Sequence, residues 1–84
     1  MRELPKLKVG IVTHFFDKVG VAVVDLNANL NVGDTIEFEK GGFSQTVSSM
    51  QIEHEQIDTA KKGQTIGLKV EKNVKSGDTI LKKT

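Results

Sequence analysis

Three tetrapeptides constrain this chain more than anything else in it: Gly33-Asp34-Thr35-Ile36, Gly63-Gln64-Thr65-Ile66 and Gly77-Asp78-Thr79-Ile80. Each sets a turn former directly ahead of residues that favour extended backbone. Glycine accepts the positive φ that a tight reversal needs, and aspartate can bond to the turn's own backbone. Threonine and isoleucine then suit a pleated, half-buried surface. A chain that turns and restarts a strand in this way is building a small antiparallel barrel.

At 84 residues the chain is long enough for one domain, expected over 1–84 with its core in 7–83. A chain of this size buries only about 60–65% of its extended surface, so it holds one core and no cleft between lobes. Cysteine is absent, which excludes disulfides and thiolate metal sites. Residues 1–8 contain no apolar leader segment, and no stretch approaches the roughly 18 apolar residues of a membrane span. The expectation is a cytoplasmic protein with no membrane partner. Formal net charge is only +1, but it is unevenly spread. Both ends of the chain are basic, whereas residues 9–60 set only Lys18 and Lys40 against eight carboxylates. Terminal strands lying side by side would gather their lysines into one positive patch. The alternative is that the lysines coat solvent-facing strand positions and guard sheet edges.

Six strands and no long helix are predicted. The first covers Leu7–Phe16, with Gly10 marking a bulge or a close backbone approach. Asp17-Lys18-Val19-Gly20 turns into a second, Val21–Leu26, so apolar that it reads as covered on both sides. A polar loop over 27–34 tucks Leu30 and Val32 beneath it. Strand three is Thr35–Lys40, with Ile36 and Phe38 inward. Gly41-Gly42 leads to strand four, Phe43–Glu53, whose alternation slips near Ser48-Ser49. Residues 54–64 form the longest connection, where Ile57 and Ala60, three apart, suggest a single helical turn. Thr65–Glu71 and Thr79–Lys83 complete the set. Six short strands joined by turns predict an all-β, six-stranded closed antiparallel Greek-key barrel, because closure removes exposed edges. A five-stranded OB or SH3-like barrel is the structural alternative.

The segment Ile57-Asp58-Thr59-Ala60-Lys61-Lys62-Gly63-Gln64-Thr65-Ile66-Gly67-Leu68, with Leu30–Ile36 and Val74–Ile80, resembles the second, β-barrel domain of elongation factor Tu-type translational GTPases. Thr13–Lys18 and Val47–His54 give it the look of small translation elongation factor-like proteins and of the C-terminal domain of collagenase-like peptidases, a family linked to RNA modification. The resemblance covers nearly all of residues 7–83. It implies a module that contacts transfer or ribosomal RNA, or a protein partner in translation or RNA modification. In full translation factors this barrel supports the GTPase domain and meets the aminoacyl end of transfer RNA. The chain departs from those factors in having no G-x-x-x-x-G-K-[ST] phosphate loop, so nucleotide hydrolysis and bound nucleotide are not expected.

Candidate catalytic groups are sparse. His14 and His54 are the only histidines, without H-x₃-H spacing, and scattered carboxylates beside them make a weak metal signal. No cofactor, metal or enzymatic activity is expected. Of the four phenylalanines, only one of Phe15 and Phe16 can point inward from a strand. An outward Phe16 beside Lys18 would stack on a nucleobase or pack on a partner protein; alternatively it seals one barrel end. The predicted RNA-binding set is therefore Lys8, Phe16, Lys18, Lys61, Lys62, Lys69, Lys82 and Lys83. The other reading is an accessory domain docking on a larger enzyme such as an RNA-modifying collagenase-like peptidase homologue.

Overall fold

The computed structural model describes residues 6–83. Ten short strands occur: β1 Lys6–Phe16, β2 Val21–Leu26, β3 Leu30–Asn31, β4 Thr35–Phe38, β5 Phe43–Thr46, β6 Met50–Ile52, β7 Glu55–Ile57, β8 Thr59–Ala60, β9 Thr65–Lys69 and β10 Thr79–Lys83. Eight of them form one antiparallel sheet in the order β5-β4-β10-β1-β2-β9-β6-β7, and β3 pairs with β8 separately. Among the described residues there is no helix, hence none long and apolar enough to cross a membrane.

The three glycine tetrapeptides perform one job. In Asn31–Asp34, Lys61–Gln64 and Lys75–Asp78 the fourth residue's N–H donates to the first residue's carbonyl at 3.1, 3.1 and 3.2 Å. The glycine in third place has φ of +97°, +89° and +90° respectively, as a type II turn demands. Each glycine N–H also reaches outward, to the carbonyls of Val47, Leu26 and Val12. The turns thus reverse the chain and pin it to a strand elsewhere. In the first two, the next side chain folds back: Asp34 Oδ2 accepts from Asn31 N at 2.8 Å and Gln64 Oε1 from Lys61 N at 2.7 Å.

The core lies inside the curl of the sheet. Val9, Val12, Ala22, Val24, Ile36, Phe38, Met50, Leu68 and Ile80 are fully buried there, with Leu30 and Ala60 from the β3–β8 pair. Gly10 is where β1 slips in register against β10. A Cβ at Gly10 would sit 2.7 Å from both the Asp25 carbonyl and Val24 Cγ1, so β1 and β2 approach too closely there for any side chain.

Several expected features differ. The barrel is not a closed six-stranded one: the sheet is a curled half-barrel of eight strands, and its edge strands β5 and β7 do not pair with each other. The predicted strand over 43–53 is two strands. Val47 donates to the Asp34 carbonyl beside β4, and Ser49 then accepts from Lys69 N beside β9. Residues 47–49 therefore step from one side of the curl to the other, and Val47 and Met50, both buried, break the two-residue period. The helical turn predicted at 57–60 is instead the ends of β7 and β8 with a bend at Asp58, whose carbonyl accepts from Val32 N. Leu30 is buried as expected, but Val32 is 40% exposed. In β2, burial alternates rather than extending to both faces: Ala22, Val24 and Leu26 are inside, Val21 and Val23 half-exposed outside.

One side chain spans the remaining gap in the curl. Buried Gln45 on β5 donates Nε2 to the Lys69 carbonyl at 2.9 Å and accepts Glu71 N on Oε1 at 2.9 Å, standing in for a rung of ladder. Gln45→Leu leaves both backbone groups unpaired and is expected to lower unfolding free energy by about 2 kcal/mol in urea titration. Gly10→Ala is expected to destabilise by about 2–3 kcal/mol in the same measurement, because the new methyl group meets backbone.

Candidate functional site

The outer face of β2 carries a groove of about 530 Å³ lined by Phe16, Val19, Val21, Val23, Gln51, His54 and Lys69. Its shape follows from strand parity. β1 ends with Phe15 packed against the core and Phe16 turned outward, 54% exposed. The Asp17–Gly20 turn, closed by Gly20 N on the Phe16 carbonyl at 2.9 Å, lifts Val19 beside it, 58% exposed. Ile66 and Leu68 of β9 point inward, so Gly67 faces outward between Val23 on β2 and Gln51 on β6. The missing side chain at Gly67 makes the floor. Lys69 closes one rim, its ammonium donating to the Val19 carbonyl at 3.0 Å. His14 lies near, its ring centroid 6.4 Å from that of Phe16.

The opposite rim is a two-residue hairpin tip. Ile52 pairs with Glu55, and between them Glu53 and His54 have φ of +50° and +69°. Left-handed backbone at both central positions is the type I′ geometry that matches strand twist and that normally takes Asn-Gly. Glutamate and histidine there carry backbone strain of about 1–2 kcal/mol each. The turn holds His54 at the groove, at the expense of stability.

The structure divides the predicted RNA-binding residues. Phe16, Lys18 and Lys69 gather at the groove end, since Lys69 pairs with Val21 and Lys18 sits in the adjoining turn. Lys8, Lys61, Lys62 and Lys82 lie at the other end of β2. Gly63 N bonds to the Leu26 carbonyl, Gly10 pairs with Leu26, and Leu7 pairs with Lys82. Six strand residues separate the groups by about 17 Å. Lys82 is partly buried and meets Asp34 Oδ2 at 3.5 Å. The side chain of Lys83 lies outside the described residues. Among those residues, no cluster of three or more histidine or carboxylate side chains is arranged to hold a metal ion.

Residues that the sequence reading passed over fall into two sets. Val19, Val21, Val23, Gly67, Gln51 and His54 complete the groove. The strand period at Val21 and Val23 would have revealed the first part, had β2 been read as half-buried; nothing local signals the left-handed pair. A second cavity, of about 240 Å³, is lined by Lys40, Gly41, Asn73, Val74, Lys75 and Asp78. Buried Asp78 accepts Lys40 N at 2.8 Å and Gly41 N at 3.1 Å, tying the β4–β5 turn to the start of β10.

The curled all-β sheet places the chain among small barrel-like modules. The chain is 39% identical over 78 residues to an uncharacterized protease of Methanocaldococcus jannaschii, a match that covers 89% of the chain but only 19% of that protein. In structure it is similar to the C-terminal domain of a U32 peptidase of Geobacillus thermoleovorans, with a TM-score of 0.84 at 23% identity, covering 93% of each chain. The selenomethionine form of that domain gives 0.80 at 24% identity, covering 94% of this chain and 98% of the other. A bacterial selenocysteine-specific elongation factor contains the same fold at a TM-score of 0.75 and 24% identity, over 98% of this chain and 15% of the factor. No model of a known protein family matches the chain. The chain thus resembles both the peptidase C-terminal domain and a translation-factor domain, as its turn motifs imply.

Replacing Glu53-His54 by Asn-Gly relieves both left-handed residues, and the double variant is expected to gain about 1–2 kcal/mol in urea unfolding.

Proposed function

We propose that this chain is a non-catalytic recognition module that binds single-stranded RNA in the cytoplasm, with the groove as its contact surface. The observation that carries the reading is the outward Phe16 in an open groove that Lys69 also lines, with Lys18 in the adjoining turn. An exposed aromatic face beside ammonium groups is the arrangement that stacks one unpaired base while holding its phosphates. Phe16 supplies the stacking surface, Val19, Val21 and Val23 the apolar wall, and Gly67 the space. Lys69 and His54 line that space, and Lys18 adds a cation in the adjoining turn. The likeness to a translation-factor domain supports an RNA partner, and the likeness to a peptidase C-terminal domain supports a role as accessory to a larger body. Transfer RNA is the first candidate, through an unpaired end rather than a duplex, since the groove is too short to follow a helix. Of the original lysine set, Lys8, Lys61, Lys62 and Lys82 contribute at most long-range attraction at the far end of β2.

A second reading rests on the three valines. They make the groove more apolar than phosphate contact alone requires, and a protein segment bearing apolar side chains flanked by carboxylates would complement Lys18 and Lys69.

Titration of the labelled protein with transfer RNA at low salt separates the two. Localised NMR shifts at Phe16, Val21, Gly67 and His54 are expected, and Phe16→Ser should weaken binding by about 1–3 kcal/mol. Gly67→Thr should block the groove while improving strand propensity, because its Cβ would sit 3.2 Å from Val21 Cγ1 and 3.8 Å from the Gln51 carbonyl. Spectra unmoved by high-micromolar RNA would refute the RNA reading and leave the protein-docking one.

A further inference from the structure

The cavity between the β4–β5 turn and the loop before β10 has no part in the groove. From it we infer a second binding site, one that takes a phosphate group. Its walls are the turn residues Lys40 and Gly41 and the loop residues Asn73, Val74 and Lys75, over a floor made by Asp78. Four observations point to an anion. First, the one carboxylate in the lining, Asp78, has each oxygen engaged by a backbone donor, Oδ1 by Lys40 N and Oδ2 by Gly41 N, rather than by a lysine ammonium. Second, neither Lys40 nor Lys75 forms an ion pair among the described residues, although both ammonium-bearing chains line the cavity. Third, the N–H groups of Asn73, Val74 and Lys75, three consecutive residues of the lining, donate no hydrogen bond among the described residues. Such consecutive N–H groups are how irregular backbone holds phosphate. Fourth, Gly41 keeps its wall of the cavity clear: a Cβ there would sit 3.1 Å from the Phe43 ring and 3.4 Å from Asp78 Oδ2.

Beside the cavity stands a third cation. Lys72 Nζ lies 5.5 Å from the centroid of the Phe43 ring, which itself stacks on buried Phe38 at 4.7 Å. The nearby carboxylates, Glu39 and Glu71, are exposed on the flanking segments and do not line the cavity. Four residue steps of chain, from Lys69 to Asn73, join groove to cavity, a span of at most about 14 Å. A strand whose base sat in the groove would bring a neighbouring phosphate to Lys40 and Lys75. This larger picture rests on the RNA reading of the groove; the phosphate site itself does not.

NMR titration with inorganic phosphate, adenosine monophosphate and a single-stranded RNA hexamer tests the site. Phosphate alone is expected to shift the amides of Gly41, Lys75 and Gly77 at millimolar concentration, and the double variant K40Q/K75Q should abolish those shifts. Both lysines are exposed, so the fold is retained, as unchanged core amide shifts would show. With RNA the same double variant should reduce the slope of log affinity against log salt by about 0.7, the loss of one phosphate contact on a single strand. Shifts with the hexamer but with neither small anion would assign the phosphate to an RNA backbone; shifts with all three would assign a general phosphate site. Phe16→Ser should leave the phosphate shifts intact, so failure of the groove reading is separable. The inference is overturned if all three ligands leave Gly41, Lys75 and Gly77 unmoved, or if K40Q/K75Q responds like the parent protein.

Discussion

Three of the returns that organise the curl pass through a glycine whose φ lies near +90°. At Gly33, Gly63 and Gly77 that conformation does two things at once. It lets the following N–H close the turn, and it aims the glycine's own N–H at a strand the turn does not belong to, reaching Val47, Leu26 and Val12. An L-residue would resist the first and so lose the second. The sheet is therefore held by turns that behave as clips as well as reversals. In the third clip the aspartate's N–H still closes the turn, but its side chain reaches out to tether Lys40 and Gly41, beside the small cavity.

The surface features likewise come from what the inner face requires. With Ile66 and Leu68 committed to the core, the residue between them must face out, and because it is glycine a trough opens between β2 and β6. The valines of β2 wall it because their neighbours Ala22 and Val24 face in. A likeness of fold to peptidase and elongation-factor domains gives no chemistry by itself. What differs between hosts of one fold is the decoration of such troughs and rims, here an aromatic, two lysines and a strained Glu-His tip.

Much of the architecture was legible in the sequence where a local rule governs. Val21–Leu26 and Thr79–Lys83 occur at their predicted bounds, Gly10 marks a register slip and close approach, and Phe15 and Phe16 divide between core and surface. Legibility ended where long-range packing decides. The step at 47–49 depends on two distant strands, β4 and β9, receiving one segment in succession. Ile57 and Ala60 at helical spacing were claimed by separate strands, β7 beside β6 and β8 beside β3. Closure failed as a prediction because a glutamine side chain, which no periodicity marks, spans what a ladder would otherwise have spanned. Of the candidate site, Phe16, Lys18 and Lys69 were readable as an exposed aromatic with basic neighbours. The rest required knowing which end of β2 each lysine occupies.

An interior strand of the sheet is the last one described. β10 lies between β1 and β4, so Ile11 and Glu37 both find partners on residues 79–83. On the ribosome, the hairpins β1–β2 and β4–β5 emerge well before the strand that joins them. Until residue 83 clears the exit tunnel they remain two separate pieces, each with an unpaired edge and an uncovered apolar face. Such intermediates are open to misassociation, and the sheet is joined only when β10 is added rather than by its early hairpins.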